Sequence, residues 1–456
     1  MNKAITETLP LSVLGLDRSS RVLVVGLGAT GLSVARFLST RGIQLAVADT
    51  RANPPGLAEL RECLPDVAVF LGGFDPAAFA RATHLVVSPG VALETPAVRQ
   101  AIRLGMPVFG DLDLFACMAQ APIIGITGAN GKSTVTTLLG LMAEADRRHV
   151  KVGGNLGTPM LDLLDEEAEL YVLELSSFQL ERSSLLKAEA ATVLNISPDH
   201  LDRYADIQAY ADAKRRIFHG QGLMVLNADD PMVEAMAEEG RHCVRFSLSE
   251  TTDAEYRLSQ ADGQEWLVCG GERLMPVGEI RLKGRHNVAN ALAAVALGEA
   301  VGLSKSAMVK ALREFPGLEH RMQWVAELDG VAYINDSKAT NVGACIAALE
   351  GLAEPVILVA GGDGKGADFS ILAGVAAGKV RAAVLMGRDA ALLEQALRPA
   401  VPTVRVETMK QAVAAARKLA QKGDIVLLAP ACASLDQYKD YRERGRLFAD
   451  AVRSLQ

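Results

Sequence analysis

No two cysteines in this sequence share a CxxC spacing: Cys63, Cys117, Cys243, Cys269, Cys345 and Cys432 are scattered singly. That scatter excludes a sequence-encoded zinc ribbon or a disulfide-framed secreted scaffold and fits a reducing compartment, so the cytoplasm is the expected location. Basic residues are not in excess, the formal net charge being -7, and no nucleic-acid partner is expected. Long apolar runs are missing as well. The longest uncharged stretch, Leu114 to Gly131, is interrupted by Gln120, Pro122, Asn130 and several glycines, which argues against a membrane span, and no membrane insertion is expected. The opening MNKAITETLPLSVLGLDRSS carries only a short apolar run closed by Asp17, without an A-x-A-like cleavage site, and reads as a short extension. Short-period repeats and low-complexity tracts are also lacking.

What is there is an ordinary globular composition, half apolar and 22% charged. Spread over 456 residues, it exceeds one core and suggests about two to four domains.

RVLVVGLGATGLSVARFLSTRGIQLAVADTR, Arg21 to Arg51, reads as strand, glycine turn, helix and strand, the βαβ unit of a doubly wound sheet. VAVFLGG and HLVVSPG continue it, and the unit ends near Pro107 to Asp111. A fresh start follows at Ala121: the apolar PIIGIT, a glycine loop, and a helix expected from Ser133 to about Asp146. YVLEL, ATVLNIS and LMVLN read as further buried strands, and the section from about 245 to 283, with turns at Asp262-Gly263 and Gly270-Gly271, as a small antiparallel sheet. The alanine-rich helix Asn287 to Val301 is expected to close this domain, and FPGLEHRMQW to mark a boundary. Beyond it, a hairpin at Asp329-Gly330 and the alternation VILVAGG, AAVLMG, TVRVET, DIVLLAP with intervening helices predict a third open α/β sheet.

Two glycine motifs compete for a nucleotide. GLGATG, Gly26 to Gly31, follows a strand and opens a helix, and Asp49 lies 21 residues past Gly28, where a dinucleotide fold places its ribose carboxylate. By itself it fits NAD, the diphosphate and ribose of a UDP-sugar, or a tight turn with no ligand. GITGANGKST, Gly125 to Thr134, holds the Gly-Lys-Ser core of a phosphate loop, in which backbone N–H groups surround phosphate, Lys132 supplies charge and Ser133 or Thr134 reaches magnesium. It departs from the strict pattern, having Ile126 where a glycine would stand.

The variant T-G-x-N-G-K-S resembles the phosphate loop of the Mur ligase family, ATP-dependent amide-forming enzymes of peptidoglycan synthesis. GGNLG at 153, ELSSFQL at 174, NISPDHLDRY at 195, the lysine of ADAKRRIF, RHNVANALAA at 285 and HR at 320 are similar to its further motifs, so the resemblance spans nearly the whole chain. NDSKATN at 335, GGDGKGADF at 361 and PACASLDQYKDYRERG at 430 resemble the members that add D-glutamate.

The resemblance implies an α/β protein of three domains: a Rossmann-like UDP-substrate sheet over 1–112, a central ATP-binding phosphate-loop domain with the small antiparallel sheet over 113–317, and a Rossmann-like domain over 318–456 that binds D-glutamate and closes on ATP. It implies UDP-N-acetylmuramoyl-L-alanine and D-glutamate as substrates, ATP and Mg2+ as cofactors, and a monomer. Thr127, Gly128, Ala129, Asn130, Gly131, Lys132, Ser133 and Thr134 would cradle ATP, joined by Asn287 and Asn290 on one helical face, Arg321 from the linker and Asp336 from the third domain. Glu174 and His200 would hold magnesium with Ser133 and a carbamylated Lys214, although Mg2+ prefers oxygen and the residues alone favour Asp199 over His200. The neighbours Arg215 and Arg216 likewise make Lys214 read, by itself, as part of an exposed basic face. Asn155 and Lys338 would stand near the reacting groups, and Thr340, Lys365, Ser434 and Tyr441 would receive D-glutamate, Tyr441 departing from the phenylalanine of the better-known pattern. Ala29, Thr30, Asp49, Thr50 and Ser88 would contact the UDP substrate.

Overall fold

The computed structural model describes residues 11–201, 203–250, 253–282 and 284–455. Residues 1–10 of the expected extension lie outside it, and Leu11–Leu14 form a single 3-10 turn. Among the described residues no helix is long and apolar enough to cross a membrane.

The chain builds three sheets. In the first, five parallel strands run in the order Ala68–Leu71, Gln44–Asp49, Arg21–Val25, His84–Val87, Val108–Phe109. The inner strands are almost wholly buried, which is why they read as continuous rather than alternating apolar runs. Strand order reverses beside Arg21–Val25, and the glycine turn leaves the sheet there, at the crevice where doubly wound folds bind ligands. Close approach is built in: a Cβ on Gly31 would lie 1.9 Å from the Gly26 carbonyl oxygen.

The central sheet has nine strands. Ile123–Thr127, ahead of the phosphate loop, sits between Ala190–Val193 and Leu170–Glu174. Val150–Gly154 forms one edge beyond Leu170–Glu174, a strand the pattern did not announce because its sequence runs into glycines. On the other side Leu223–Asn227 and Cys243–Phe246 continue in parallel. The antiparallel strands expected after residue 245 are present as Tyr256–Ala261, Gln264–Cys269 and Glu272–Pro276, and they extend this sheet instead of standing apart. Their turns occur at Asp262-Gly263 and Gly270-Gly271, all four residues having positive φ as a two-residue primed turn requires. Helix Arg285–Ala300 does not close the unit; Lys305–Glu314 follows and packs on helix Lys132–Ala145.

The third sheet orders Gln323–Leu328, Val331–Asn335, Ile425–Leu428, Val356–Gly361, Val380–Met386 and Thr403–Arg405, parallel except for the first hairpin.

The junctions between the three bodies differ in kind. One apolar core joins the first and central sheets: Val24, Leu38 and Leu112 belong to the same cluster as Tyr171, Leu173 and Val193. Helix Asp111–Met118 is the bridge, with Phe115 edge-on to Tyr171 at 5.0 Å. Ser33 Oγ and Arg36 also bind Asp162 across that junction, at 2.8 and 3.0 Å. The buried apolar clusters of the third body contain only its own residues, and polar contacts tie it to the central one: Arg321 to Ser133, Asn341 to Asn130 and Asp199, and Lys365 to Asp199. Such an interface can open without exposing a core. We predict that the third body swings on the other two. Small-angle scattering should show a narrower distance distribution with an ATP analogue and the UDP substrate than without them, and identical profiles would count against closure.

Candidate active site

The phosphate loop is shaped by its neighbours. Strand Ile123–Thr127 runs one residue past Ile126, which is buried in register with Glu174; the turn therefore begins at Gly128, φ 151°, and ends at Gly131, φ 84°. A Cβ at Gly131 would stand 2.4 Å from Asn290 Oδ1, so the loop requires glycine there for space as well as for dihedral angle. Asn195 accepts the Asn130 N–H at 2.8 Å on its side chain and the Ala129 N–H at 2.9 Å on its backbone. Helix Lys132–Ala145 then starts with its first N–H groups facing the loop, a ready anion site. Lys132 Nζ lies over the loop, donating to the Gly128 and Ala129 carbonyls at 2.7 and 2.8 Å; burial lowers its pKa, against the pull of Glu174 and Asp199.

Glu174 ends the neighbouring strand and is held by Asn155, whose Nδ2 donates to Oε1 at 2.6 Å and whose N–H donates to the Glu174 carbonyl at 2.8 Å. Oε2 is buried without a partner. Burial pushes this carboxyl up, but Lys132, Ser133 and Asn155 outweigh it and hold Glu174 ionised. His200 adopts a left-handed backbone, φ 56°, with its ring edge-on to Phe178 at 4.8 Å; burial takes its pKa down to about 4, so the imidazole is neutral at physiological pH.

Lys214, on helix Ile207–Arg215, is 1% exposed, which corrects the reading of a basic solvent face. Its Nζ donates to the Thr127 hydroxyl at 3.3 Å and lies 4.5 Å from the Tyr210 ring centroid. Burial, then the Lys132 charge, push the ammonium well below its ordinary pKa. Arg215 and Arg216 turn elsewhere, to Glu238 and to the Leu180 and Ser183 carbonyls.

The third body supplies a cationic roof. Lys365, φ 54°, pairs with Asp199 Oδ1 at 2.5 Å, and Asn341 donates to Asp199 Oδ2 at 3.1 Å and to Asn130 at 3.3 Å. Lys338 Nζ lies 4.1 Å from the Tyr441 ring, and burial, then Arg321, bring its pKa down to about 8. Asp199 and Asn341 are the contacts that motif reading underrated: Asp199 entered only as a rival metal ligand, and Asn341 stood unremarked inside NDSKATN.

Loop and roof enclose a cavity of ≈ 280 Å³ walled by Lys132, Asn155, Glu174, His200, Lys214, Lys338, Thr340 and Lys365 among others. A second cavity of ≈ 280 Å³ adjoins it through Asn130, Arg321 and Lys338 and is lined by Asn287, Asn290 and Asp336. Asn290 donates to Asn287 at 3.2 Å, and Arg321 to the Ser133 hydroxyl at 3.0 Å. Ser434 is buried outside both walls, and Tyr441 is reached only through Lys338. Ala29, Thr30, Asp49, Thr50 and Ser88 form a separate cluster at the first sheet. There Asp49 accepts from the Leu27 N–H at 2.7 Å and from Arg51 at 2.6 Å. Burial is outweighed by Arg51 and these backbone donors, and the carboxyl is held down to about 2. Ser88 Oγ donates to the Gly26 carbonyl at 2.9 Å, so both side chains brace the glycine turn. Among the described residues no three His, Cys, Asp or Glu side chains form a ready-made metal cluster; the free oxygen beside the loop is Glu174 Oε2.

Three family profiles match in succession: "Mur ligase MurD-like, N-terminal domain" over 20–110, "Mur ligase middle domain" over 126–298 and "Mur ligase, glutamate ligase domain" over 320–432. A UDP-N-acetylmuramoylalanine--D-glutamate ligase of Methylococcus capsulatus is 65% identical over 97% of this chain and 96% of its own length. The chain belongs to the Mur ligase family. A Pseudomonas syringae protein of the same name is 56% identical over 95% of this chain and 98% of its own. Among solved structures, the UDP-N-acetylmuramate-alanine ligase of Thermotoga maritima shares the three-body fold, with TM-score 0.60 at 18% identity over 96% of this chain and all of that one. As a Mur ligase the chain is an ATP-dependent enzyme, and its phosphate loop lies in the segment matched to the middle domain.

One buried group of this Mur ligase gives a pH signature. Burial pushes Asp336 up to about 6, against Arg321 and the Met322 N–H, from an ordinary value of 3.8. Between those values the folded protein keeps a proton that the unfolded chain has lost, so stability falls as pH rises through the window and the penalty is complete above it. Asp336→Asn removes the penalty. The variant should be more stable than the parent by about 1–3 kcal/mol above pH ~6, the difference vanishing below pH ~4, as read from denaturant unfolding across pH.

Proposed function

We propose that this protein joins D-glutamate to the alanyl carboxylate of UDP-N-acetylmuramoyl-L-alanine, converting ATP to ADP and phosphate, in the cytoplasmic synthesis of a peptidoglycan precursor. The observation that carries the reading is the single cavity in which the phosphate loop, Glu174 and the lysine roof face one another; the names borne by the full-length relatives support the choice of substrates.

A carboxylate is a poor electrophile with no usable leaving group. Attack of its oxygen on the γ-phosphorus breaks the bond to ADP and leaves an acyl phosphate; the glutamate nitrogen then forms the C–N bond as the C–O bond to phosphate breaks, its surplus protons passing to solvent. The chain's part is to hold crowded anions and exclude water. Lys132 and the loop N–H groups take the β- and γ-phosphates, with Arg321 reaching in over Ser133. Asn287, Asn290 and Asp336 take the nucleoside side in the adjoining cavity. Asn155 orients Glu174 and borders the carboxylate. Neutral His200 can hydrogen-bond there without adding charge. Lys365 and Thr340 receive a carboxylate of D-glutamate, and Lys338, poised near neutrality, lies between acceptor and phosphate. Ser434 and Tyr441 shape the acceptor side from behind. The first sheet holds the UDP moiety near Ala29, Thr30, Asp49, Thr50 and Ser88.

Glu174 Oε2, buried and unpartnered, and the Ser133 hydroxyl fit one hard cation. Magnesium held there with phosphate oxygens would neutralise phosphoryl charge. Lys214 fits such a cation only after modification, since as an ammonium it repels one. Its burial favours the neutral amine, whose nitrogen bonds the carbon of carbon dioxide and loses one proton to solvent, giving an anionic carbamate near His200.

Two experiments test the reading. Phosphate release with UDP-N-acetylmuramoyl-L-alanine and D-Glu, L-Glu, L-Ala or a diamino acid should occur with D-Glu, and a folded Lys132→Ala should lose at least about a hundredfold in rate; an unimpaired variant would end the assignment. Protein equilibrated with 13C-bicarbonate should give a carbamate carbonyl resonance that Lys214→Ala lacks, and its absence from the parent would leave Lys214 unmodified.

A further inference from the structure

Arg444 is the largest fully buried side chain in the described protein, 2% exposed, and its hydrogen bonds go to neutral oxygens. Nε donates to Ser337 Oγ at 3.0 Å and Nη2 to the Ser337 carbonyl at 2.8 Å; Nη1 donates to the carbonyls of Cys432 at 3.1 Å and Gly361 at 3.4 Å. Ser337 Oγ in turn donates a hydrogen bond to the Tyr441 carbonyl at 2.8 Å. Burying a guanidinium against neutral partners is costly, and an apolar side chain would fill the same space without that cost, so the fork must secure something packing does not.

What it secures is a set of loop origins. Ser337 follows strand Val331–Asn335 and precedes Lys338 and Thr340; Gly361 ends Val356–Gly361 and opens the loop of Lys365; Cys432 lies beyond Ile425–Leu428 and two residues before Ser434. Tyr441 begins the helix Tyr441–Arg453 that carries Arg444 itself. Four segments therefore meet on one planar cation, and each brings a residue of the acceptor side. Lys365 shows the need for such a brace: it sits in a left-handed turn, held by Asp363 accepting its N–H at 3.0 Å and by Asp389 accepting from Gly364 at 2.7 Å, and that turn springs from Gly361.

We propose that Arg444 is a positioning residue for the incoming amino acid, fixing the mutual spacing of Lys338, Thr340, Lys365, Ser434 and Tyr441 without touching the substrate. This rests on the acceptor side assigned above. Lysine keeps the charge but lacks the rigid fork and cannot span three strand ends.

Steady-state kinetics of the full chain with each substrate varied in turn test it, with thermal melts as a folding control. Arg444→Lys should raise the KM for D-glutamate by about tenfold while the KM values for ATP and the UDP substrate stay within about twofold. Ser337→Ala, which leaves the guanidinium in place and removes one of its acceptors, should move the same KM in the same direction by less, and it decides the matter should Arg444→Lys not fold. An unchanged KM for D-glutamate in a folded variant, or KM values for all three substrates rising together, overturns the proposal. The underlying reading fails separately: a parent enzyme that releases no phosphate with D-glutamate sinks that assignment, and the KM for whichever amino acid the parent accepts then tests Arg444.

Discussion

Positive charge held out of water governs this molecule. Lys132 begins a helix, Lys338 follows a strand and Lys214 lies in the last turn of a helix, all three with their pKa values lowered chiefly by burial, while Glu174 and Asp199 are the carboxylates that oppose them. Burying like charges together is unfavourable for the protein alone. Anionic ligands would relieve it, and in the proposed function nucleotide, carboxylate and acceptor would each offset charge that the fold leaves lopsided. The neutral His200 belongs to the same balance of charge: protonated, it would add to the excess, and burial holds it uncharged.

Topology explains how the central and third bodies share that region. The glycine turn, the phosphate loop and the loop of Lys365 all leave the carboxyl ends of parallel strands, the edge at which such sheets bind ligands. The first two bodies are welded by a common apolar core through helix Asp111–Met118, which sets the reach between the glycine turn and the phosphate loop. The third shares no buried apolar cluster with them among the described residues and is tied to the central body by polar side chains, with Asp199 at the seam.

Much of this was legible in sequence. The βαβ of the first sheet, the phosphate loop and the hairpin at Asp329-Gly330 declare themselves through apolar runs and the glycines that end them, because parallel strands and tight turns leave few alternatives. Glu174 was marked by its place at a strand end. Lys214 was not, since local pattern cannot show that a lysine flanked by arginines faces inward while the arginines bend away. The ties of Asp199 come from Asn341 and Lys365, 142 and 166 residues distant, and no local periodicity encodes such separations. Strand Val150–Gly154 escaped because glycines at its end look like loop, and the annexation of the antiparallel strands depends on a pairing between Phe246 and Tyr256 that composition does not distinguish from a separate sheet.

That annexation has a consequence for life in a crowded cell. A nine-stranded sheet that ended on an inner parallel strand would offer a greasy, unpaired border to any passing chain. On the annexed side the outermost strand is ERLMP, Glu272–Pro276, brief, charged at its start, and closed by a residue with no N–H to donate. Lys305 pairs with Glu272 alongside it. Such a hem discourages strand-to-strand adhesion between copies along this border of the sheet.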